Sequence, residues 1–353
     1  MSGSGDRTIR VVDMHTAAEP VRIFEAGYPA LRGSTLLEKR RDALEHHDDL
    51  RRMLMLEPRG HAGMYGVIPT EPCHPDAELA VLFTHQAGYS TMCGHATIAI
   101  GRWAVDTGRV PLVDGRVRFG LETPCGVVAV DVDMADGDVP LVAFESVESF
   151  ASHLDQRVMV PGFGPVDLDI AFGGAYYAIL PASRIGLSLM DAPLDALVQA
   201  GVAITDAVRG AVPIAHPQET DLGFLYGTIL TDDVALGDHR GKPSYNLCIF
   251  AEGQIDRSPT GSGVTARIAL AAARGDMALG QDCEIRGVSG EGFRGTLARI
   301  EQRGDGIVAR VRVAGRSYYT ARSAFVAETG DRFADGFALP ARFAELLLQE
   351  RMA

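Results

Sequence analysis

The sequence predicts an α/β (α+β) protein whose two similar halves face one another across a cleft. Its length is the first observation: 353 residues exceed one ordinary hydrophobic core and suit two. The second is a device that occurs twice. Ser90-Thr91-Met92-Cys93-Gly94-His95 leads into a helical pattern with Ala96, Ala99, Ile100 and Trp103 on one face. Ser258-Pro259-Thr260-Gly261-Ser262-Gly263 leads into another, with Val264, Ile268, Ala271 and Ala272 on one face. Cys93 and Thr260 stand nearly half the chain apart, and each precedes a glycine and an apolar helix. Each half thus offers one helix N-terminus to a shared cleft, one with a thiol and one with a hydroxyl.

The remaining elements are mostly β-like. Thr8–Met14 and Val21–Ala26 read as strands joined by His15-Thr16-Ala17-Ala18-Glu19-Pro20. Thr35–Leu56 reads as one solvated outer helix, with Thr35 and Glu38 able to form a capping box. Met64–Pro69 and Glu78–Thr84 are strands, the second delivering the chain to Cys93. Val117–Phe119, Val127–Val132 and Leu141–Glu145 follow, broken by Asp-Gly turns. The first domain is therefore placed at 1–147, rejoined by the C-terminal segment 332–353, and the second at 148–331.

In the second domain, Phe172-Gly173-Gly174-Ala175-Tyr176-Tyr177 interrupts an apolar run, and its glycine pair marks a bulge or a close ligand approach. Asp195–Ala207 is a helix; Phe224–Thr231 and Tyr245–Phe250 are strands leading to Asp256 and Thr260. After the helix Val264–Arg274, strands recur at Cys283–Val288, Thr296–Gln302, Ile307–Val313 and Ala321–Val326. Pro340–Arg351 has the pattern of an amphipathic helix.

Composition narrows the class. Hydrophobic content of 46% and charged content of 22% describe a soluble globular chain. A net charge of −13 argues against nucleic acid and anionic membrane as partners, and it repels acidic ligands, which local donors must then hold. The five cysteines, Cys73, Cys93, Cys125, Cys248 and Cys283, are odd in number and contain no Cys-x-x-Cys, which fits reduced thiols in the cytoplasm. The first residues lack a signal-peptide core, and no apolar run reaches membrane-spanning length.

Among the candidate reactive groups, Cys93 differs from the other cysteines. A helix start binds anions and lowers the pKa of a thiol, so Cys93 is expected as a thiolate beside a carboxylate. His95 orients or polarises a substrate, or caps the helix. Asp256 holds a substrate amine, or forms the turn Asp256-Arg257-Ser258-Pro259. The ten histidines show no His-Glu-x-x-His, and Cys73-His74 has no partner at zinc spacing, so no metal is expected. The Gly-rich segments Gly162–Pro165 and Gly261–Gly263 match neither dinucleotide nor P-loop patterns, and no cofactor is expected.

Met92-Cys93-Gly94-His95 and Asp256-Arg257-Ser258-Pro259-Thr260-Gly261-Ser262-Gly263 resemble the two active-site motifs of the proline racemase family. Asp13-Met14-His15-Thr16-Ala17, Gly88-Tyr89-Ser90-Thr91 and Phe172-Gly173-Gly174-Ala175 resemble its supporting segments, so the similarity runs through most of the chain. The resemblance implies a diaminopimelate-epimerase-like fold: two pseudo-symmetric domains, each a β-barrel-like sheet around a central helix, with the site between them. It further implies catalysis without a cofactor, backbone amides that hold the substrate carboxylate, and a homodimer.

Racemases of the family carry a cysteine in both motifs, whereas this chain has Thr260 in the second. That departure is characteristic of the branch that dehydrates trans-3-hydroxy-L-proline. It makes chemical sense, because racemisation needs a base on each face of Cα, and a threonine hydroxyl is too weak an acid to serve near neutral pH without an activating base. A half-equipped racemase can still abstract a proton, and a β-leaving group then departs.

The resemblance implies Cys93 and Thr260 as the catalytic pair. Gly94, His95, Gly261 and Ser262 are implied to hold the carboxylate, and Asp256 the ring amine. A 4-hydroxyproline 2-epimerase or a proline racemase is the alternative within the family, and a non-catalytic imino-acid binding protein the alternative of another class.

Overall fold

The computed structural model describes residues 7–339, apart from 136, 239–240 and 305. In the first half, β1 (Arg7–Thr16) and β2 (Glu19–Ala26) are followed by α1 (Leu36–His46) and α2 (Asp48–Met55). Next come β3 (Tyr65–Thr70), β4 (Leu79–His85), β5 (Gly88–Ser90) and α3 (Gly94–Asp106). β6 (Arg116–Thr123), β7 (Gly126–Asp133) and β8 (Leu141–Glu145) complete it. The second half begins with β9 (Ser149–Val160), β10 (Gly164–Phe172), β11 (Tyr176–Pro181) and α4 (Leu194–Ala211). It continues with β12 (Leu225–Thr231), β13 (Ser244–Phe250), β14 (Gln254–Ile255) and α5 (Gly261–Arg274). β15 (Asp282–Arg286), β16 (Gly292–Arg303), β17 (Gly306–Gly315) and β18 (Ser317–Ala327) end the described chain's strands.

The two halves are wired alike. β1 to β2 is antiparallel, β2 to β3 parallel, β3 to β4 antiparallel, β4 to β6 parallel, and β6–β7–β8 antiparallel. The same sequence of directions recurs through β10, β11, β12, β13, β15, β16 and β17. Parallel neighbours need a crossover, and helices supply each one: α1–α2 and α3 in the first half, α4 and α5 in the second. β9 pairs with both β10 and β17 and so closes an eight-stranded barrel. β18 takes the matching place beside β1, so the chain returns to the first half before residue 331, the boundary expected from sequence. β8 pairs with β17, which stitches the halves together.

α3 and α5 run through these sheets as central helices. Each was expected to bury one face, yet Gly94–Ile98 and Gly261–Ala272 are buried all round. Small residues make that possible, since a helix apolar or small on every side can be enclosed. On α3, a Cβ at Gly101 would lie 2.5 Å from Val142 Cγ1.

Two local readings change. The outer helix is two helices, because the chain breaks at His47 (φ −136°, ψ 17°). His46-His47-Asp48-Asp49 are poor helix-interior residues, and the two aspartates suit the first turn of α2. The Thr35–Glu38 capping box forms at the start of α1. β9 escaped the sequence reading: Asp155 has φ 51°, its register with β10 shifts, and its polar residues blur the alternation. The expected helix Pro340–Arg351 lies outside the described residues.

Candidate active site

The two helix starts meet backbone to backbone. A Cβ built on Gly94 would come within 2.4 Å of Gly261 Cα, so neither glycine leaves room for a side chain. Cys93 and Thr260, the residues just before them, line one small buried cavity with Gly94, His95, Asp256 and Ser262. Gly261 does not line the cavity itself but abuts Gly94, which does. Every residue expected from the sequence is therefore brought to one place. Tyr65, Met92, Tyr177, Tyr226 and Phe250 complete the lining. The free space is about 10 Å³, room for one water at most.

Several networks fix the side chains. Thr16 Oγ1 donates to the His95 carbonyl at 2.9 Å, which ties β1 to the first turn of α3. Asp256 accepts from Ser258 N–H at 2.8 Å, and Ser258 Oγ accepts from Thr260 N–H at 3.1 Å. Asn246 donates to the Pro259 carbonyl at 3.0 Å, and buried Arg267 in turn donates to Asn246 Oδ1 at 3.0 Å. Ser262 Oγ lies 2.7 Å from Tyr177 hydroxyl. The Gly173–Gly174 pair proves to be a tight turn that packs on α5, because a Cβ at Gly173 would lie 2.2 Å from Ser262 carbonyl oxygen. Gly173 serves close backbone packing there, and Gly174 adopts φ 98° against the Met92 side chain.

Electrostatics depart from the expectation for Cys93. Burial pushes its thiol pKa up, and the carboxyls of Asp256 and Glu19 push it further; the Ala96 N–H and Tyr65 hydroxyl oppose them. The helix start acts in the expected direction but is outweighed by desolvation. His95 is held neutral, its pKa lowered to about 3 by burial and by the Arg257 charge, although the Pro20 carbonyl favours its protonated form. Its Nδ1 stands 3.1 Å from Cys93 Sγ. A neutral imidazole has one N–H; given to Pro20, it leaves a lone pair that accepts a hydrogen bond from the thiol without taking its proton. Burial also raises Asp256, to about 6, against the hydroxyls of Ser258 and Thr260 and the Ser258 N–H.

Sequence reasoning passed over several participants. Glu19 is 1% exposed and accepts from Arg257 N–H at 2.7 Å, so it anchors the loop that carries Asp256 and Thr260. Its pKa is raised by burial and by Asp256. In sequence Glu19 belongs to the connection between two strands; its only signal there is an acid enclosed by Ala18 and Pro20 at a tight turn, where Ala17 and Ala18 have φ 50° and 66°. Tyr65 and Tyr226 sit in ordinary strand patterns, and only the fold brings them together.

Among the described residues no group of three or more His, Cys, Asp or Glu is placed to hold a metal ion. No helix among them is long and apolar enough to cross a membrane.

Two like-wired halves thus present a thiol and a hydroxyl to one cavity from abutting helix starts. This chain belongs to the proline racemase family, whose model matches residues 11–338. It is 45% identical over 340 residues to a trans-3-hydroxy-L-proline dehydratase of Homo sapiens, covering 95% of this chain and 96% of that protein. It is likewise 45% identical over 333 residues to a trans-L-3-hydroxyproline dehydratase of Xenopus tropicalis, covering 94% and 95%. The crystal structure of a probable proline racemase from Agrobacterium radiobacter K84 with bound carbonate superposes with a TM-score of 0.86 at 27% identity, covering 94% of this chain and 96% of that one.

Proposed function

We propose that this protein is a hydro-lyase that dehydrates trans-3-hydroxy-L-proline to Δ2-pyrroline-2-carboxylate, which tautomerises to the Δ1 form. The observation that carries the reading is the unequal equipment of one cavity: a thiol on one side, Thr260 on the other. The similarity to dehydratases in two vertebrates over nearly the whole chain supports it.

Cys93 is the base. The substrate carboxylate lies across the unpaired N–H groups that open α3 and α5, those of Gly94, His95, Gly261 and Ser262. There it shares donors that also stabilise the enolate-like state formed as Cα–H breaks. Asp256 takes the ring ammonium. That positive charge enters beside carboxyls that otherwise hold the thiol protonated, so the substrate itself favours the thiolate. Cys93 removes the Cα proton, the electron pair forms the Cα–Cβ double bond, and the 3-hydroxyl leaves as water with the proton handed on by Cys93. In the trans isomer the hydroxyl and the Cα hydrogen share a ring face, so one residue can serve as base and then acid.

Thr260 contributes no second base. Its Oγ1 is buried without a hydrogen-bond partner among the described residues, although it lies near enough to Asp256 and Cys248 to favour their ionised forms. A carboxyl with a pKa of about 6 cannot deprotonate an alcohol to any useful extent. The test is direct: trans-3-hydroxy-L-proline mixed with the protein yields an o-aminobenzaldehyde-reactive cyclic imine. Cα epimers with no imine would instead assign an epimerase, and neither product would leave the binding-protein reading.

A further inference from the structure

The catalytic cavity is too small to admit an imino acid as it stands, so the route to it is a question the fold must answer. Beside it lies a groove of about 600 Å³ between the halves. One wall comes from Arg40 on α1 and the β4–β5 turn, the other from α4 and the β12–β13 strands. Tyr226 lines both the groove and the cavity. It stacks on Phe250 at 5.3 Å between ring centroids, and His85 meets both rings edge-on at 6.1 and 5.8 Å. These three rings, with Tyr65 behind His85 at 6.0 Å, form an aromatic plug between groove and thiol.

The groove also carries charge of a suitable kind. Arg40 donates to the Tyr89 carbonyl at 2.8 Å, but its Nε is buried with no hydrogen-bond partner among the described residues. On the opposite wall, Arg209 of α4 donates to the Leu225 carbonyl at 3.0 Å, on the strand that bears Tyr226. Asp206 and Glu252 line the same groove and are exposed. Two cations and two acids in one groove match a zwitterion, with a carboxylate for the arginines and a ring ammonium for the acids. With a net charge of −13 on the whole chain, such a local pair of cations is what an approaching carboxylate requires.

We propose that this groove is the entry port of the active site, where Arg40 and Arg209 capture the substrate carboxylate before the Tyr226–Phe250–His85 plug swings aside. The substrate class rests on the dehydratase reading; the port itself does not. Capture adds charge-assisted hydrogen bonds before chemistry, so removing both arginines lowers kcat/KM by about tenfold and leaves kcat unchanged.

The deciding experiment compares alkylation of Cys93 by anionic iodoacetate and neutral iodoacetamide, read by mass spectrometry of the Cys93 peptide. Both reagents meet the same sulfur, so the ratio of their rates reports only how charge is admitted. In the Arg40→Gln/Arg209→Gln double variant that ratio falls by about tenfold, while the iodoacetamide rate, a control for folding and plug movement, is unchanged. Arg294→Gln, outside the groove, lowers the net charge by one and leaves the ratio alone. A ratio unchanged in a folded double variant, or lowered equally by Arg294→Gln, overturns the port. Turnover by the wild type with an unchanged ratio defeats the port alone. Absence of turnover with a lowered ratio defeats the dehydratase reading and keeps the port.

Discussion

The two helix starts occupy matching places in the two halves, yet they hold their side chains differently. Cys93 has ordinary extended backbone, φ −147° and ψ 115°, where an N-cap residue belongs. Thr260 sits at φ 63° and ψ 99°, a region that a β-branched residue enters at a cost of order 1–3 kcal/mol. Asn246, Ser258 and the Glu19–Arg257 contact over-determine that loop and keep it there. The loop's shape is thus set by its neighbours rather than by the residue at its tip. On the mechanism proposed above, that is how a scaffold with two like-placed helix starts serves a one-sided chemistry.

The comparison breaks most visibly at the thiol. Cys93→Ser should lower turnover by about 10²–10⁴-fold, the usual worth of a positioned base, with an unchanged circular dichroism spectrum. Equal activity in a folded variant would remove the thiol from the chemistry. Next in size is the contact between the starts. Gly261→Ala places a Cβ about 2.5 Å from Gly94 Cα, which forces the helices apart. We expect loss of activity and about 1–3 kcal/mol of stability, measured by denaturant unfolding.

Asp256 sharpens the second start. Its folded pKa is raised from 3.8 to about 6, so folding disfavours the carboxylate. The penalty is absent while both states are protonated, below about pH 4, and complete above about pH 6. Asp256→Asn should therefore gain up to about 3 kcal/mol of stability at pH 8 and nothing at pH 3, read from urea midpoints. The wild type should lose kcat/KM as pH falls through about 6, where the carboxylate that holds the ring ammonium is protonated. An Asp256→Asn variant no more stable than wild type at pH 8 would show that the carboxylate is better solvated than its burial implies.

Much of this was legible in the chain because the device is local. Cys93-Gly94 and Thr260-Gly261 announce helix starts by their own spacing, and short apolar runs bounded by turn residues mark the buried strands around them. What stayed hidden depends on distant partners. Glu19 and Arg257 are far apart in sequence, and nothing near Glu19 reveals that its carboxylate meets a loop of the other half. The thiol pKa was misjudged for a similar reason: a helix start is visible in sequence, whereas the desolvation that outweighs it comes from Tyr65, Tyr226 and Phe250, supplied by three separate strands. β9 was missed because a bulge hides its period.

Two substitutions at 260 finish the comparison. Thr260→Cys should restore a base on the second face and introduce Cα–H exchange with inversion, seen by proton NMR of L-proline or trans-4-hydroxy-L-proline in D2O. It should cost about 1 kcal/mol or less, because the volume hardly changes. A folded variant that neither exchanges nor inverts any imino acid would mean that residue 260 does not face Cα.

The smallest effect is the most telling. If the thiol alone moves protons, Thr260→Ala removes a hydroxyl that does no chemistry. The assay is imine formation by this variant from the trans and cis isomers of 3-hydroxy-L-proline, alongside the wild type. We expect dehydration of the trans isomer to persist within about tenfold of wild type, far short of the loss expected for a catalytic acid or base, with the cis isomer refused by both proteins. A folded Thr260→Ala with no activity, or equal turnover of the two isomers by the wild type, would contradict a single-thiol mechanism and require a second acid on the Thr260 face.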